Sequence, residues 1–181
     1  GSWKEKIDMY LSGYRAALAE GKRIGIDVLL GMEIRFHDTP EDYLVFGIDE
    51  QYILNNPKLY NHTLSSFKAS IKGKDILLLQ AHPFRTGLSP AAPELLDGVE
   101  VYNGNPRHDS RNHLAYSYAR EHGLIMISGS DAHQLVDVAR GGIGLYRPVK
   151  SIHDLVVRLR MREPMELITV DAGIDFPYVG K

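Results

Sequence analysis

The sequence contains no cysteine. That excludes disulfides and thiolate metal sites, and it suits a cytosolic protein. No apolar stretch approaches the ~20 residues of a membrane span, and no secretory leader pattern opens the chain. Excess charge is also scarce, with 21 Lys and Arg against 23 Asp and Glu and a formal net charge of -2. Neither a nucleic-acid footprint nor a polybasic membrane patch is therefore expected. There is no internal repeat, no low-complexity tract and no linker rich enough in Pro, Gly or Ser to divide the chain. What is there suffices for one globular domain over residues 1–181, since 44% of the 181 residues are hydrophobic. Gly1-Ser2 before Trp3 reads as the remnant of a cleaved tag, so a fragment of a longer protein is expected.

Helical and strand patterns alternate along the chain. "WKEKIDMYLSGYRAALAEGK" carries apolar residues at Ile7, Tyr10, Leu11, Tyr14 and Leu18, a helical stripe. "IDVLLGMEI" reads as a strand buried on both faces, and "DYLVFGID" as a second strand that can pair antiparallel with it. "LSSFKASIKG" is a helix ended by Gly73, followed by the strands "DILLLQAHP" and "DGVEVYNG". "DSRNHLAYSYAREHG" is a helix capped by Asp109 or Ser110 and stopped at Gly123, with its tyrosines as a packing face. After the strand "LIMISGSDAH" comes "RGGIGLYRP", read as a flexible loop because it lacks the Lys-Ser/Thr ending of a phosphate loop. "SIHDLVVRLRMRE" is a helix capped by Ser151 and "PMELITV" a last strand, so a C-terminal helix and strand occupy 151–170. This order predicts an α/β fold with largely parallel strands.

In such folds chemistry gathers beyond the C-terminal ends of strands. Four apolar runs end in residues able to ligate or orient a metal: Glu33, then His82, then Asn103, then Asp131 with His133. An Asp-x-His taken alone fits an ordinary turn equally well. Period-2 alternation would put Asp131 and His133 on one side of an extended segment, with Ser128, Gly129 and Ser130 leaving room for the backbone. Imidazole with carboxylate suits Zn, Mn, Fe or Co. Arg85 and Arg107 flank this set and could grip a phosphate bidentately. His113, His122 and His153 fall in or at the ends of helices, where exposure or dipole interaction explains them, and His37 and His62 carry no assignment.

The blocks "GMEIRF", "DYLVFGID", "QAHPFR", "VEVYNGNPRHDSRN" and "SGSDAH", over roughly residues 24–145, resemble successive motifs of the PHP (polymerase and histidinol phosphatase) superfamily. The resemblance implies a distorted (βα)7 barrel with two or three divalent ions, Zn, Mn or Fe, hydrolysing phosphate esters. It implies Glu33 as a bridging carboxylate and His82, Asp131 and His133 as ligands. Asp42 stands where many relatives have histidine, and His108 lies near where some supply another; each is an even choice between ligand and bystander. Asn103 fits a loop- or substrate-orienting role better than metal binding. The family's opening His-x-His is nowhere in this chain, so a partial barrel lacking its N-terminal strands is expected, with an open edge that invites self-association.

In the intact protein the ions would acidify a bridging water for in-line attack on phosphorus, with Arg85 or Arg107 neutralising charge. The substrate would be a small phosphate mono- or diester, with weak or no activity in the fragment. Two other classes fit the same residues: a catalytically dead binding or scaffold module, and a metal-dependent hydrolase of a non-phosphate substrate.

Overall fold

The computed structural model describes residues 1–170; residues 171–181 of the expected domain lie outside them. Five strands make one sheet in chain order: β1 (Gly31–Arg35), β2 (Asp42–Phe46), β3 (Leu77–Gln80), β4 (Gly98–Asn103) and β5 (Ile125–Gly129). The β1–β2 and β2–β3 pairs are antiparallel, and the β3–β4 and β4–β5 pairs are parallel. Two more strands, β6 (Gly141–Leu145) and β7 (Met165–Thr169), form an antiparallel ribbon. The helices are α1 (Trp3–Tyr10), α2 (Ser12–Ile24), α3 (Glu50–Asn55), α4 (Leu64–Ser70), α5 (Asn112–His122) and α6 (Ile152–Arg160).

The expected partial (βα)7 barrel does not form. Among the described residues the sheet is open, with β1 at one edge and β5 at the other, and two of its pairings run antiparallel. A parallel barrel needs a crossover of a dozen or so residues between neighbouring strands. Residues 36–41, which join β1 to β2, are too few for one, so the chain turns back as a hairpin.

Side-chain alternation explains how the sheet is filled. In β3, Leu78 faces a large core with Met32, Ile34, Tyr43, Val45, Val99 and Val101. Leu77 and Leu79 face a second core with Ile125, Ile127, Val156, Leu159 and Met165. A continuous apolar run is what a strand covered on both faces requires. At the edge the pattern changes, because β1 alternates buried and exposed residues. The expectation of a two-face-buried strand over "IDVLLGMEI" fails there, and residues 26–30 are not in the strand. One face of β1 is left for polar side chains.

Other local outcomes have simple causes. The first helical stripe is split at Leu11, which caps α1 and is buried. Within the glycine-rich "RGGIGLYRP", Gly141–Leu145 are strand rather than flexible loop. A Cβ at Gly141 would fall 2.3 Å from the Gly129 carbonyl oxygen, so close backbone approach, not mobility, calls for glycine there. Ser128 Oγ accepts from the Gly142 N–H (3.0 Å) and donates to the Ile168 carbonyl (2.7 Å), tying the ribbon to β5. Helix α6 is capped by Ser151 as expected, its side chain accepting from the Asp154 N–H. Helix α5 instead begins after Arg111 at φ 48°, with no side-chain cap, while Asp109 accepts the Arg111 N–H. Its end at Gly123, φ 61°, is as expected. Among the described residues no helix is long and apolar enough to cross a membrane.

Candidate functional site

Because β2 runs antiparallel to β1 and β3, its first residues lie beside their C-terminal ends. The register sets Asp42 opposite Arg35 and Tyr43 opposite Gln80. Glu33 and Arg35, two apart on β1, share a face with Asp42 and project on the same side of the sheet. His82 follows β3, and Asp131 and His133 follow β5. One end of the sheet thus gathers side chains from four strands or their following loops.

Glu33 and His82 both lie within the fields of Asp42, Asp131 and Arg85. Glu33 is pushed above the usual carboxylate range, first by partial burial, then by the charges of Asp42 and Asp131, with Arg85 and Arg35 opposing. His82 is shifted below the usual imidazole range by burial and by the Arg85 charge, against the pull of Asp131 and Asp42. Its ring is 3% exposed, with Nε2 3.9 Å from Asp42 Oδ2 and 3.5 Å from Arg85 Nη1. Its Nδ1 is buried and has no hydrogen-bond partner among the described residues. His82 and Asp131 both sit in left-handed backbone, at φ 29° and 47°, although neither is glycine. Such conformations cost of order 1–3 kcal/mol and cluster at functional sites.

Asp131 and His133 do meet, but not by strand alternation. The backbone turns at Asp131, and His133 Nδ1 folds back to 2.9 Å from the Asp131 carbonyl and 3.5 Å from its carboxylate. The buried Asn105 donates through Nδ2 to the same carbonyl at 3.1 Å. The His133 side chain remains 66% exposed.

The other candidates are deployed differently. Arg107 is committed to the buried Asp137 through Nη1 and Nη2, at 2.9 and 2.5 Å, so its fork is not turned to the cluster. Asp137 also accepts the His133 and Gln134 N–H groups, and its pKa is held far below the usual range, foremost by Arg107. Asn103 is buried, donating to Glu100 and accepting the Asn105 N–H, so it organises the loop after β4. His108 is exposed and lines a separate polar recess of about 390 Å³ with Arg111 and Arg140. Arg85 is half-buried, its Nη2 3.9 Å from Asp42.

Two participants were not singled out from the sequence. Glu100 is 5% exposed in the middle of β4, accepting from the His82 N–H and from Asn103 Nδ2, both at 3.0 Å. Burial pushes its pKa up to about 7, against those two hydrogen bonds. Its signal was an acid inside the apolar run "GVEVY". Arg35 donates through Nε and Nη2 to the two oxygens of Asp42, both at 2.9 Å. Its signal was the i, i+2 spacing from Glu33.

The donor set of carboxylates and imidazole fits a divalent ion in kind, although the unpartnered His82 nitrogen is Nδ1 and the one near Asp42 and Arg85 is Nε2. Yet among the described residues no group of three or more His, Asp or Glu closes to the spacing that would hold one. The guanidinium groups of Arg35 and Arg85 stand among the acids.

A family model described as PHP-associated matches residues 109–164, less than a third of the chain, covering α5, β5, β6 and α6. The fold resembles the crystal structure of PsfC from Pseudomonas syringae PB-5123, with a TM-score of 0.64 and 16% sequence identity. That similarity covers 81% of this chain and 61% of PsfC, so the chain spans about three fifths of its structural neighbour. Among curated proteins none matches the chain in sequence.

Proposed function

We propose that this chain supplies one wall of a divalent-metal phosphoesterase centre of the PHP type. Glu33, His82, Asp131 and His133 are the proposed ligands, Asp42 a further one, and Arg85 the anion-binding side chain. The observation that carries this reading is the meeting of Glu33, Asp42, His82 and Asp131 at one end of the sheet, where the charges of Asp42 and Asp131 act on both Glu33 and His82. The left-handed backbone at His82 and Asp131 adds to it. Zn, Mn or Fe suits these donors.

A divalent ion bound there supplies an acidified water and positive charge for phosphoryl oxygens. The chain's own groups supply the rest. Burial favours the neutral His82 imidazole, the form able to donate a lone pair. Asn105 fixes the Asp131 carbonyl, and Asp137 fixes the backbone of His133 and Gln134, so the last two ligands are held by the loop after β5. Arg85, beside both His82 and Asp42, is placed to meet an anionic oxygen. Arg107 is not proposed for that role, because Asp137 occupies its fork.

One observation favours a second reading, a binding module without catalysis: the pairing of Asp42 with Arg35 leaves that carboxylate satisfied without an ion. Elemental analysis and calorimetry with Mn and Zn, followed by mono- and diester assays, separate the two. The first reading expects saturable metal uptake that His82→Gln and Asp131→Asn each weaken by at least about tenfold. Uptake unaffected by either substitution, or metal-loaded protein inert towards every ester, sinks it.

A further inference from the structure

The loop between β4 and α5 borders the polar recess of about 390 Å³, whose lining includes His108, Ser110, Arg111, His113 and Arg140. Glu33, Asp42, His82, Asp131 and His133 are not among its walls. Helix α5, 11 residues long, starts there without a side-chain cap. The first amides of a helix lack intrahelical acceptors and carry the positive end of its dipole. The Arg111 N–H is taken by Asp109 Oδ1 at 3.1 Å, and the Leu114 and Ala115 amides return to the Arg111 carbonyl. Those of Asn112 and His113 have no acceptor among the described residues. A second observation stands apart from the helix end. Ser110 is 4% exposed, and its Oγ has no hydrogen-bond partner among the described residues. A buried hydroxyl without a partner is costly, and a ligand oxygen in the recess would supply one. Arg140 Nε donates to the Gly104 carbonyl at 2.8 Å, which orients the guanidinium and leaves both Nη groups without a partner among the described residues. The one acid in the lining, Asp109, has a side chain 74% exposed, 3.7 Å from Arg111 Nε.

We propose that this recess binds a tetrahedral oxyanion of the phosphate class, free or as a monoester. The Asn112 and His113 amides and the Ser110 hydroxyl supply hydrogen bonds, and Arg111 and Arg140 supply the compensating charge. Two guanidinium groups against one exposed carboxylate leave the recess net positive even with both histidines neutral. A phosphate has three or more diverging acceptor oxygens, enough to meet an amide pair, a hydroxyl and a guanidinium together. A carboxylate, with two oxygens in one plane, serves fewer of them. The site needs no metal and does not rest on the reading above. A merely irregular helix start has a different consequence, because its hydroxyl and guanidinium then share no dependence on an added anion.

The test titrates inorganic phosphate and, separately, phenyl phosphate into the whole chain with a chelator present, reading heat and backbone amide resonances. The expected result is saturable binding that shifts the Asn112 and His113 amides. Arg111→Gly removes a guanidinium at φ 48°, a backbone that glycine adopts freely, so the fold holds while binding weakens about tenfold. Ser110→Ala should weaken binding by about threefold to tenfold, yet leave the free protein at least as stable as the parent, since no hydrogen bond is lost. A purely structural hydroxyl has the opposite signature, a lower melting temperature with unchanged affinity, and that result overturns its role here. No saturable binding by the parent, shifts confined to residues around Glu33 and Arg85, or affinities unmoved by both substitutions overturn the proposal. Tighter binding of the ester assigns the remaining volume to its organic part; affinity no greater than that of phosphate assigns the site to the free anion, and both support it.

Discussion

Two arginine–aspartate forks lie near the same end of the sheet, and they are built to different ends. At Arg107–Asp137 the carboxylate side chain is wholly buried, and two backbone N–H groups complete its hydrogen bonds. At Arg35–Asp42 the carboxylate accepts from no backbone N–H among the described residues, but it has a second arginine and an imidazole at 3.9 Å. The first fork closes a loop and leaves nothing unsatisfied. The second is one pairing among several open to the same carboxylate. Identical chemistry becomes a fixed brace or an exchangeable contact according to what else the acid touches.

The most severe way to break this contrast is Asp137→Ala. It should cost more stability than any change below, because Arg107, His133 and Gln134 all lose their acceptor. Thermal melting would read the loss. Hydrogen exchange should show the His133 and Gln134 amides unprotected; retained protection would mean the loop does not depend on the fork.

Glu100 is a third case, a buried carboxylate without an arginine. The fold keeps its proton up to about pH 7, whereas the unfolded chain releases it in the ordinary carboxylate range. Its contribution to stability is therefore full below that range and is lost as pH rises towards 7, by roughly 3 kcal/mol at most. Glu100→Gln should remove this slope between pH 5 and 7 in denaturant melts (approximate limits set by those ionisations). An unchanged slope would assign it to another group. The smallest effect belongs to Arg35→Ala, expected within about 1 kcal/mol of the parent without metal, because the side chain is largely exposed and Arg85 remains near Asp42. A loss as large as that of Asp137→Ala would erase the distinction between the forks.

What could be read in advance followed local chemistry. Alternating elements, the Ser151 cap and the stop at Gly123 depend on short-range rules, and they hold. The barrel did not, because strand direction is decided by connections and by edges, and the short 36–41 link enforces a hairpin. At the site, Glu33, His82 and Asp131 were legible as polar endings of apolar runs. Arg107 was misjudged because its partner, Asp137, lies 30 positions along the chain and no spacing rule joins them. Glu100 was overlooked because an acid inside a buried strand is acceptable only when tertiary neighbours such as the His82 N–H satisfy it. His133 came to Asp131 by a backbone turn, not by strand periodicity.

That turn has a counterpart at His82, and together they bear on how such a sequence would change under different demands. Positions 82 and 131 have backbones that glycine adopts at no steric cost. At position 82 glycine would relieve the backbone but empty the buried space that the imidazole fills, so the strain and the packing oppose each other there. A selection for the chemistry would hold the imidazole and the carboxylate against that strain.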